Sequence, residues 1–516
     1  MVRLSASALA LILAGVTPVA WGQNISGEPS RTPATTALTW RAPDFPETLS
    51  ARIGYRPLPV ERLLQVQKRN AERQLKPLQI GVGRVLASEG GGATPAPPLQ
   101  WRKVGTGAVA RMAITSPDAL GIRVGLKLAQ LHPDVELRFA GSDAPDDVVA
   151  SVRAGQAQLL ADAQGLYWTP ATDGQTQWIE IHRPAHVAVG MARISAPQLA
   201  HQFVNSQNDF KLLEKVGESG SCNIDSVCMA PTLGDDYARA VRSVAHMQYV
   251  TTVNGQTGTY ICTGTLLNDM QPTTQVPYFY SAHHCISTQT EASTLNTFWS
   301  YEATSCGSGV SRPVTRLSGG ATYLHSDATT DALLLRLNDP APAGAEFSGW
   351  DSSALPSSSA VLAIHHPRGD LKKSSTGRQI PVGTSASRNA VAWLSGTTEG
   401  GSSGSGLFTR DLNGYRLRGG LYGGSASCSN TGSEANAANR DYYSRFDAVF
   451  PQLQQWLATG PGNRVASRSS QPLIPGQPNV SSAAASAVPA VAAPASTIRT
   501  RSAIRQRGAL KRAMDR

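Results

Sequence analysis

Three separated stretches hold side chains able to act on one another. The run Thr397-Thr398-Glu399-Gly400-Gly401-Ser402-Ser403-Gly404-Ser405-Gly406-Leu407-Phe408 puts glycines on both sides of Ser403. Glycine lets a backbone turn sharply and bring its N–H groups against a bound group, which a nucleophilic serine requires. Attack of a hydroxyl on a carbonyl leaves an oxyanion, and the N–H groups of Gly401 and Ser403 are the expected donors to it. Alone, such a run also reads as a flexible Gly/Ser linker. Upstream, Tyr280-Ser281-Ala282-His283-His284-Cys285 offers an imidazole base, and Asp331-Ala332-Leu333-Leu334-Leu335-Arg336-Leu337 lies between the two and offers a carboxylate. Asp327 competes with Asp331. We prefer Asp331 because the apolar run after it reads as a buried strand, which would screen an orienting carboxylate from water. The pairs His283-His284 and His365-His366 have no zinc-ligand spacing, and adjacent side chains diverge in a strand, so no metal or cofactor is expected.

These groups need a framework. Six cysteines, at 222, 228, 262, 285, 306 and 428, all fall in one segment, and an even number in an exported chain predicts disulfides. Tyr260–Asn268 and Val276–Ser281 are short β-rich runs, and a Cys262–Cys285 bridge would clamp the histidine loop to its neighbouring strand. Spacing alone leaves the pairing open. Phe446, Val449, Phe450, Leu453, Trp456 and Leu457 follow a helical period that Gly460-Pro461-Gly462 ends.

The chain begins as an export signal: Arg3, an apolar run from Ala8 to Val19, then Ala20-Trp21-Gly22, with cleavage expected near Gln23. No other apolar stretch is long enough for a transmembrane anchor. From Trp40 to Pro197 there is no cysteine and no nucleophile–base pair. Alternation at Ile122, Val124, Leu126 and Leu128, and again at Val135, Leu137 and Phe139, marks half-buried strands after a helix over Val60–Gln74. Trp178-Ile179-Glu180-Ile181 reads as a later strand, and the segment as a β-rich, sandwich-like domain. Basic residues outnumber acidic ones by 22 to 17 through residue 215, trail them by 15 to 18 from 216 to 460, and exceed them by nine to one thereafter. The net charge of +10 therefore sits mostly in a tail rich in Ser, Pro, Ala and Arg, and no nucleic-acid-binding core is expected. The tail reads as disordered, either merely solvated or a weak tether to anionic envelope polymers.

Cys262-Thr263-Gly264-Thr265-Leu266, Ser281-Ala282-His283-His284-Cys285, Ile364-His365-His366-Pro367, Gly401-Ser402-Ser403-Gly404-Ser405 and Gly419-Gly420-Leu421-Tyr422-Gly423-Gly424-Ser425-Ala426-Ser427-Cys428 follow Ser221-Cys222-Asn223-Ile224-Asp225-Ser226-Val227-Cys228 in order. With them, Val216–Gly460 resembles the bacterial lysyl endopeptidases, secreted serine proteases of the trypsin-like fold. The resemblance implies an all-β catalytic domain of two six-stranded β-barrels with a C-terminal helix, preceded by the β-rich pro-domain. It implies His284 as base, because the family's histidine directly precedes the cysteine, with Asp331 and Ser403 completing a triad in the order His, Asp, Ser. It implies the bridges Cys222–Cys428, Cys228–Cys306 and Cys262–Cys285, and activation by cleavage between Lys215 and Val216. The acid that many trypsin-like enzymes carry six residues before the serine is here Thr397. The resemblance places it instead at Asp441, in Asn439-Arg440-Asp441-Tyr442, with Glu399 and Glu434 as alternatives. Tyr422 stands beside the substrate where the family usually has histidine.

The expectation is a preproenzyme: signal 1–22, propeptide domain 23–215, protease domain 216–460 and tail 461–516. It would be secreted, monomeric, inhibited or folded by its own propeptide, and would cut protein or peptide substrates after Lys in preference to Arg. Two rivals are a dead protease scaffold used for binding or adhesion, and an exported glycan-binding protein acting through the first domain.

Overall fold

The computed structural model describes residues 22–34, 36–72, 77–88, 95–205, 218–253, 255–271 and 273–458. The signal up to Trp21, the Lys215–Val216 bond and the tail lie outside them. Among the described residues no helix is long and apolar enough to cross a membrane.

The C-terminal half of the cysteine-bearing region closes on itself. Strands Ala360–His365, Lys373–Ile380, Arg388–Ser395, Asp441–Ser444, Gly414–Gly424 and Gly406–Asp411 pair antiparallel in that order, and the last returns to the first. Alternate side chains point inward, as a period of two demands, so Val361, Ala363, Val391, Trp393, Leu407, Leu421 and Tyr443 share one core. A fully buried Val or Leu there contributes about 1.5–3 kcal/mol over an exposed one.

The N-terminal half is also six strands: Asn296–Trp299, Val244–Val253, Gln256–Leu267, Tyr278–Ala282, Ala332–Leu337 and Ala321–Asp327, paired antiparallel in that order. No ladder among the described residues joins the last to the first, whose outer edge pairs with Thr315–Leu317, so a half-barrel stands beside the closed barrel, consistent with the expected double barrel. Both edges of the seam are occupied. The side chain of Gln289, in helix Gln289–Ser293, donates to Ala321 O at 2.9 Å and accepts from Tyr323 N at 2.8 Å, occupying the edge that closure would use.

Helix Phe446–Leu457 buries Phe446, Val449, Phe450, Leu453 and Leu457 against Trp350, Leu334 and Leu417, a core shared by both halves. Disulfides join Cys222 to Cys428, Cys228 to Cys306 and Cys262 to Cys285.

The first domain is a sandwich. One sheet contains Ala51–Gly54, Gly107–Thr115, Thr176–Arg183, Glu136–Gly141 and Ala150–Arg153. The other contains Leu166–Trp168, Gly121–Lys127, Ser195–Gln202 and Leu78–Val85. Ile122, Val124, Leu126, Leu137, Phe139, Ile179 and Ile181 meet between them. The second sheet does not end at the domain. Leu78–Val85 pairs antiparallel with Gln256–Leu267, from Gly258 opposite Val82 to Ile261 opposite Leu78, so one sheet runs from the sandwich into the half-barrel.

The chain start lies apart from the sandwich. Asn24–Ile25 pairs with Gly349–Asp351, and Glu28–Pro29 with Glu346–Phe347. Within 216–460 there are two lysines. Lys372 is 1% exposed, with Nζ donating to Val241 O at 2.8 Å, and burial lowers its pKa. Lys373 is ion-paired with Asp225 and, at 3.5 Å, with Asp370.

Candidate active site

His284 sits just past the end of strand Tyr278–Ala282, where His283 N donates to Asp331 O at 3.0 Å and the Cys262–Cys285 bridge ties the turn to the adjacent strand. Its backbone N–H donates to Asp331 Oδ1 at 3.0 Å, and its Nδ1 lies 2.7 Å from Asp331 Oδ2. A carboxylate accepts, so Nδ1 carries the proton and Nε2 keeps its lone pair. Nε2 is buried with no hydrogen-bond partner among the described residues. Asp331 has φ +68°, a left-handed conformation that costs a non-glycine residue energy. That turn aims a buried carboxylate at the imidazole from the first position before strand Ala332–Leu337. Asp327 instead caps its own turn, accepting from Thr329 N at 2.9 Å and Thr330 Oγ1 at 2.8 Å.

Ser403 comes from the other half. Its buried Oγ has no hydrogen-bond partner among the described residues, and Gly401 and Gly404 on either side have φ +92° and +78°. At Gly401 a Cβ would come within 2.8 Å of His366 O, so the loop admits only glycine without shifting. The N–H groups of Gly401 and Ser403 make no hydrogen bond among the described residues. Two backbone donors thus flank an unpartnered hydroxyl.

Two features that hold this loop were not legible beforehand. Thr263, on strand Gln256–Leu267 of the half-barrel, donates its Oγ1 to Gly401 O at 3.0 Å and its N–H to Ser403 O at 2.8 Å, and accepts from His366 N at 3.2 Å. His365 Nδ1 meets Ser402 Oγ at 2.8 Å, and its Nε2 meets Ser375 Oγ at 3.1 Å. The signals present were the Cys262-Thr263-Gly264 motif and the His365-His366 pair, which carry no chemistry of their own. His366 stacks on Tyr301 and meets His246 edge to face. Burial drives His246 down to about 3 and His366 well below the usual histidine range, the latter helped by the charges of His246 and Lys372.

Asp441 is fully buried between strands Arg388–Ser395 and Gly414–Gly424, opposite Val391 and Gly424. Its Oδ2 accepts from Trp393 Nε1 at 2.8 Å and from Thr398 Oγ1 at 2.6 Å, so it is anchored to the loop that leads to Ser403. At Gly424 a Cβ would lie 2.5 Å from Asp441 Oδ1, which leaves room only for glycine over this carboxylate. The alternatives are placed elsewhere. Glu399 binds Arg368 Nε, Gly220 N and Asn223 Nδ2, each at 2.8 Å, and Glu434 is exposed, with Arg378 4.0 Å away. Tyr422 meets the His284 ring edge to face at 6.1 Å, with the Arg388 guanidinium 3.8 Å over its ring. Cys262 and Cys285 lie near His284 but are joined as a disulfide and offer no thiolate to a metal.

One half carries a histidine–carboxylate pair and the other a glycine-flanked serine, on a fold consistent with a serine endopeptidase of the trypsin-like type. The family model for "Lysyl endopeptidase, C-terminal domain" matches residues 216–444, and that for "Lysyl endopeptidase N-terminal domain" matches 55–203. A lysyl endopeptidase from Pseudomonas aeruginosa is 38% identical over 401 residues, covering 74% of this chain and 82% of that protein. The chain belongs to the lysyl endopeptidase family. Among solved structures, an inactive mutant of Rv3671c from M. tuberculosis H37Rv aligns with 45% of this chain and 94% of its own, at 15% identity and a TM-score of 0.27.

Proposed function

We propose that the chain is a secreted precursor whose domain from 216 to 460 hydrolyses peptide bonds after lysine, in preference to arginine, through Ser403, His284 and Asp331. The observation that carries the mechanism is the 2.7 Å contact of His284 Nδ1 with Asp331 Oδ2, which leaves Nε2 to act as the base; Nε2 and the Ser403 hydroxyl are both buried and have no hydrogen-bond partner among the described residues. Ser403 Oγ attacks the carbonyl carbon while Nε2 takes its proton, and Asp331 stabilises the imidazolium that forms. The N–H groups of Gly401 and Ser403 receive the oxyanion. Collapse of the intermediate passes the proton to the leaving amine and leaves an acyl ester on Ser403, which water hydrolyses by the same steps.

Asp441 is the proposed specificity residue. A carboxylate in a buried, low-dielectric site attracts a substrate ammonium more strongly than a neutral side chain. The domain boundaries at 22, 215 and 460, removal of the first domain by a cut after Lys215, and work as a monomer belong to the same proposal.

A peptide-library digest read by mass spectrometry tests activity and specificity together, and the expected products end in lysine. A fluorophosphonate should label Ser403 in the processed enzyme and leave Ser403→Ala unlabelled; an unreactive wild type would favour a binding scaffold instead. Asp331→Asn should lower the rate by as much as ~10⁴. Asp441→Asn should lower kcat/KM on lysyl substrates by ~10² or more while sparing labelling of Ser403.

A further inference from the structure

We propose that residues 23–34 stay on the protease domain after maturation, as a separate, non-covalently held strap. Among the described residues their hydrogen bonds to the rest of the molecule run to residues between 268 and 416. Gln23 exchanges bonds with Ser352, its N–H donating to Oγ and its carbonyl accepting from Ser352 N, each at 2.8 Å. Asn268 Nδ2 donates to Ser26 O at 2.9 Å, and Arg416 Nη2 to Ser26 Oγ at 3.0 Å. Ser30 N donates to Ala345 O at 2.9 Å, and Gln275 Nε2 to Pro29 O at 2.8 Å. Two short ladders add to these, so the segment is held as an added strand, largely through its backbone.

The seat is shaped for the strap. A Cβ on Gly349 would lie 2.3 Å from Ile25 O, and one on Gly27 would lie 2.7 Å from Phe347 O. Ile25 packs against the core shared by the two halves. Asn268 and Arg416 are buried, and departure of the strap would strip each of a hydrogen-bond partner in a place where polar groups are costly to leave unpaired.

Resting on the lysine specificity proposed above, the lysine positions decide what survives processing. Residues 22–67 contain no lysine, whereas Lys68, Lys76, Lys103, Lys127, Lys211 and Lys215 follow in the remainder of the first region. An enzyme that cuts after lysine therefore leaves the strap uncut, the first cut open to it, after Lys68, detaching the strap together with Ala51–Gly54 from the rest of the sandwich, and both lysines of the domain that holds it are buried or ion-paired.

The test uses the full Ser403→Ala chain digested by a trace of wild-type enzyme and analysed by denaturing and native mass spectrometry. We expect two chains under denaturing conditions, one of them a peptide that contains Asn24–Arg31 and ends in lysine, and a one-to-one complex of the two under native conditions. Gly27→Val should abolish that complex and lower the melting temperature of the digested product by ~2–4 °C or more. A native mass equal to the protease domain alone overturns the strap, and a released peptide ending in lysine does so while leaving the specificity reading intact. A bound peptide ending in another residue keeps the strap and overturns that reading.

Discussion

Thr263 grips the serine loop from the opposite half of the protease domain, at Gly401 O and Ser403 O. Replacing it with valine removes both bonds of its hydroxyl and leaves the Gly401 carbonyl and the His366 N–H short of a partner, worth about 1–3 kcal/mol. Thr263→Val should therefore lower kcat by ~10–100-fold with little change in KM, and Thr263→Ser should restore it, as steady-state kinetics will show. His246 carries a different prediction. It is packed among Phe298, Tyr301 and His366 and held neutral by burial. In the unfolded chain histidine titrates near ~6.5. Below that pH the unfolded state binds a proton that the fold refuses, so stability is lost as pH falls from about 6.5 towards 3, by up to about 1.4 kcal/mol per pH unit for each such group. Urea midpoints at successive pH values should fall more steeply for the wild type than for His246→Phe. At this scale the residues proposed to react could be singled out because nucleophile, base and carboxylate chemistry restricts residue type. Thr263 and Trp393 were not, since a threonine or tryptophan that positions another group looks in sequence like any residue of a buried strand.

Elements differ in how plainly the chain announces them. The terminal helix and the sandwich strands follow clean periods of 3.6 and two, and they form at Phe446–Leu457, Gly121–Lys127 and Glu136–Gly141 close to where the pattern puts them. The helical segment Ser226–Arg242 was not read, because Pro231 and Gly234 interrupt its pattern; at Gly234, with φ 77°, two helical pieces meet at a kink. The open seam of the half-barrel and the sheet that crosses from Leu78–Val85 into Gln256–Leu267 depend on edges that meet only after folding, which local periodicity cannot express. That crossing ladder is testable. Gly258 lies under it, and a Cβ there would approach Gln79 Nε2 to 2.7 Å and Gly81 O to 3.1 Å. Gly258→Val in the uncut Ser403→Ala chain should speed amide exchange across 78–85 by ~10-fold or more while leaving the closed barrel protected. Unchanged exchange would show that the ladder does not hold the first domain in place.

The whole molecule has a property that follows from where its two protease-domain lysines lie. Cleavage needs several residues of extended chain at the cutting site, and Lys372 and Lys373 are both committed inside the fold. A lysine-specific enzyme stored at high concentration would then meet no target on the folded 216–460 domains of its neighbours, and that domain's working lifetime would be set by how often it opens, not by how often copies collide. The thirteen arginines of the same domain offer no such target to it either. Putting a lysine in the exposed loop around Val310, between Gly309 and Ser311, would remove this immunity. Val310→Lys should nick itself after residue 310 and lose activity on standing, while Val310→Arg, with the same charge at the same place, should keep as well as the wild type.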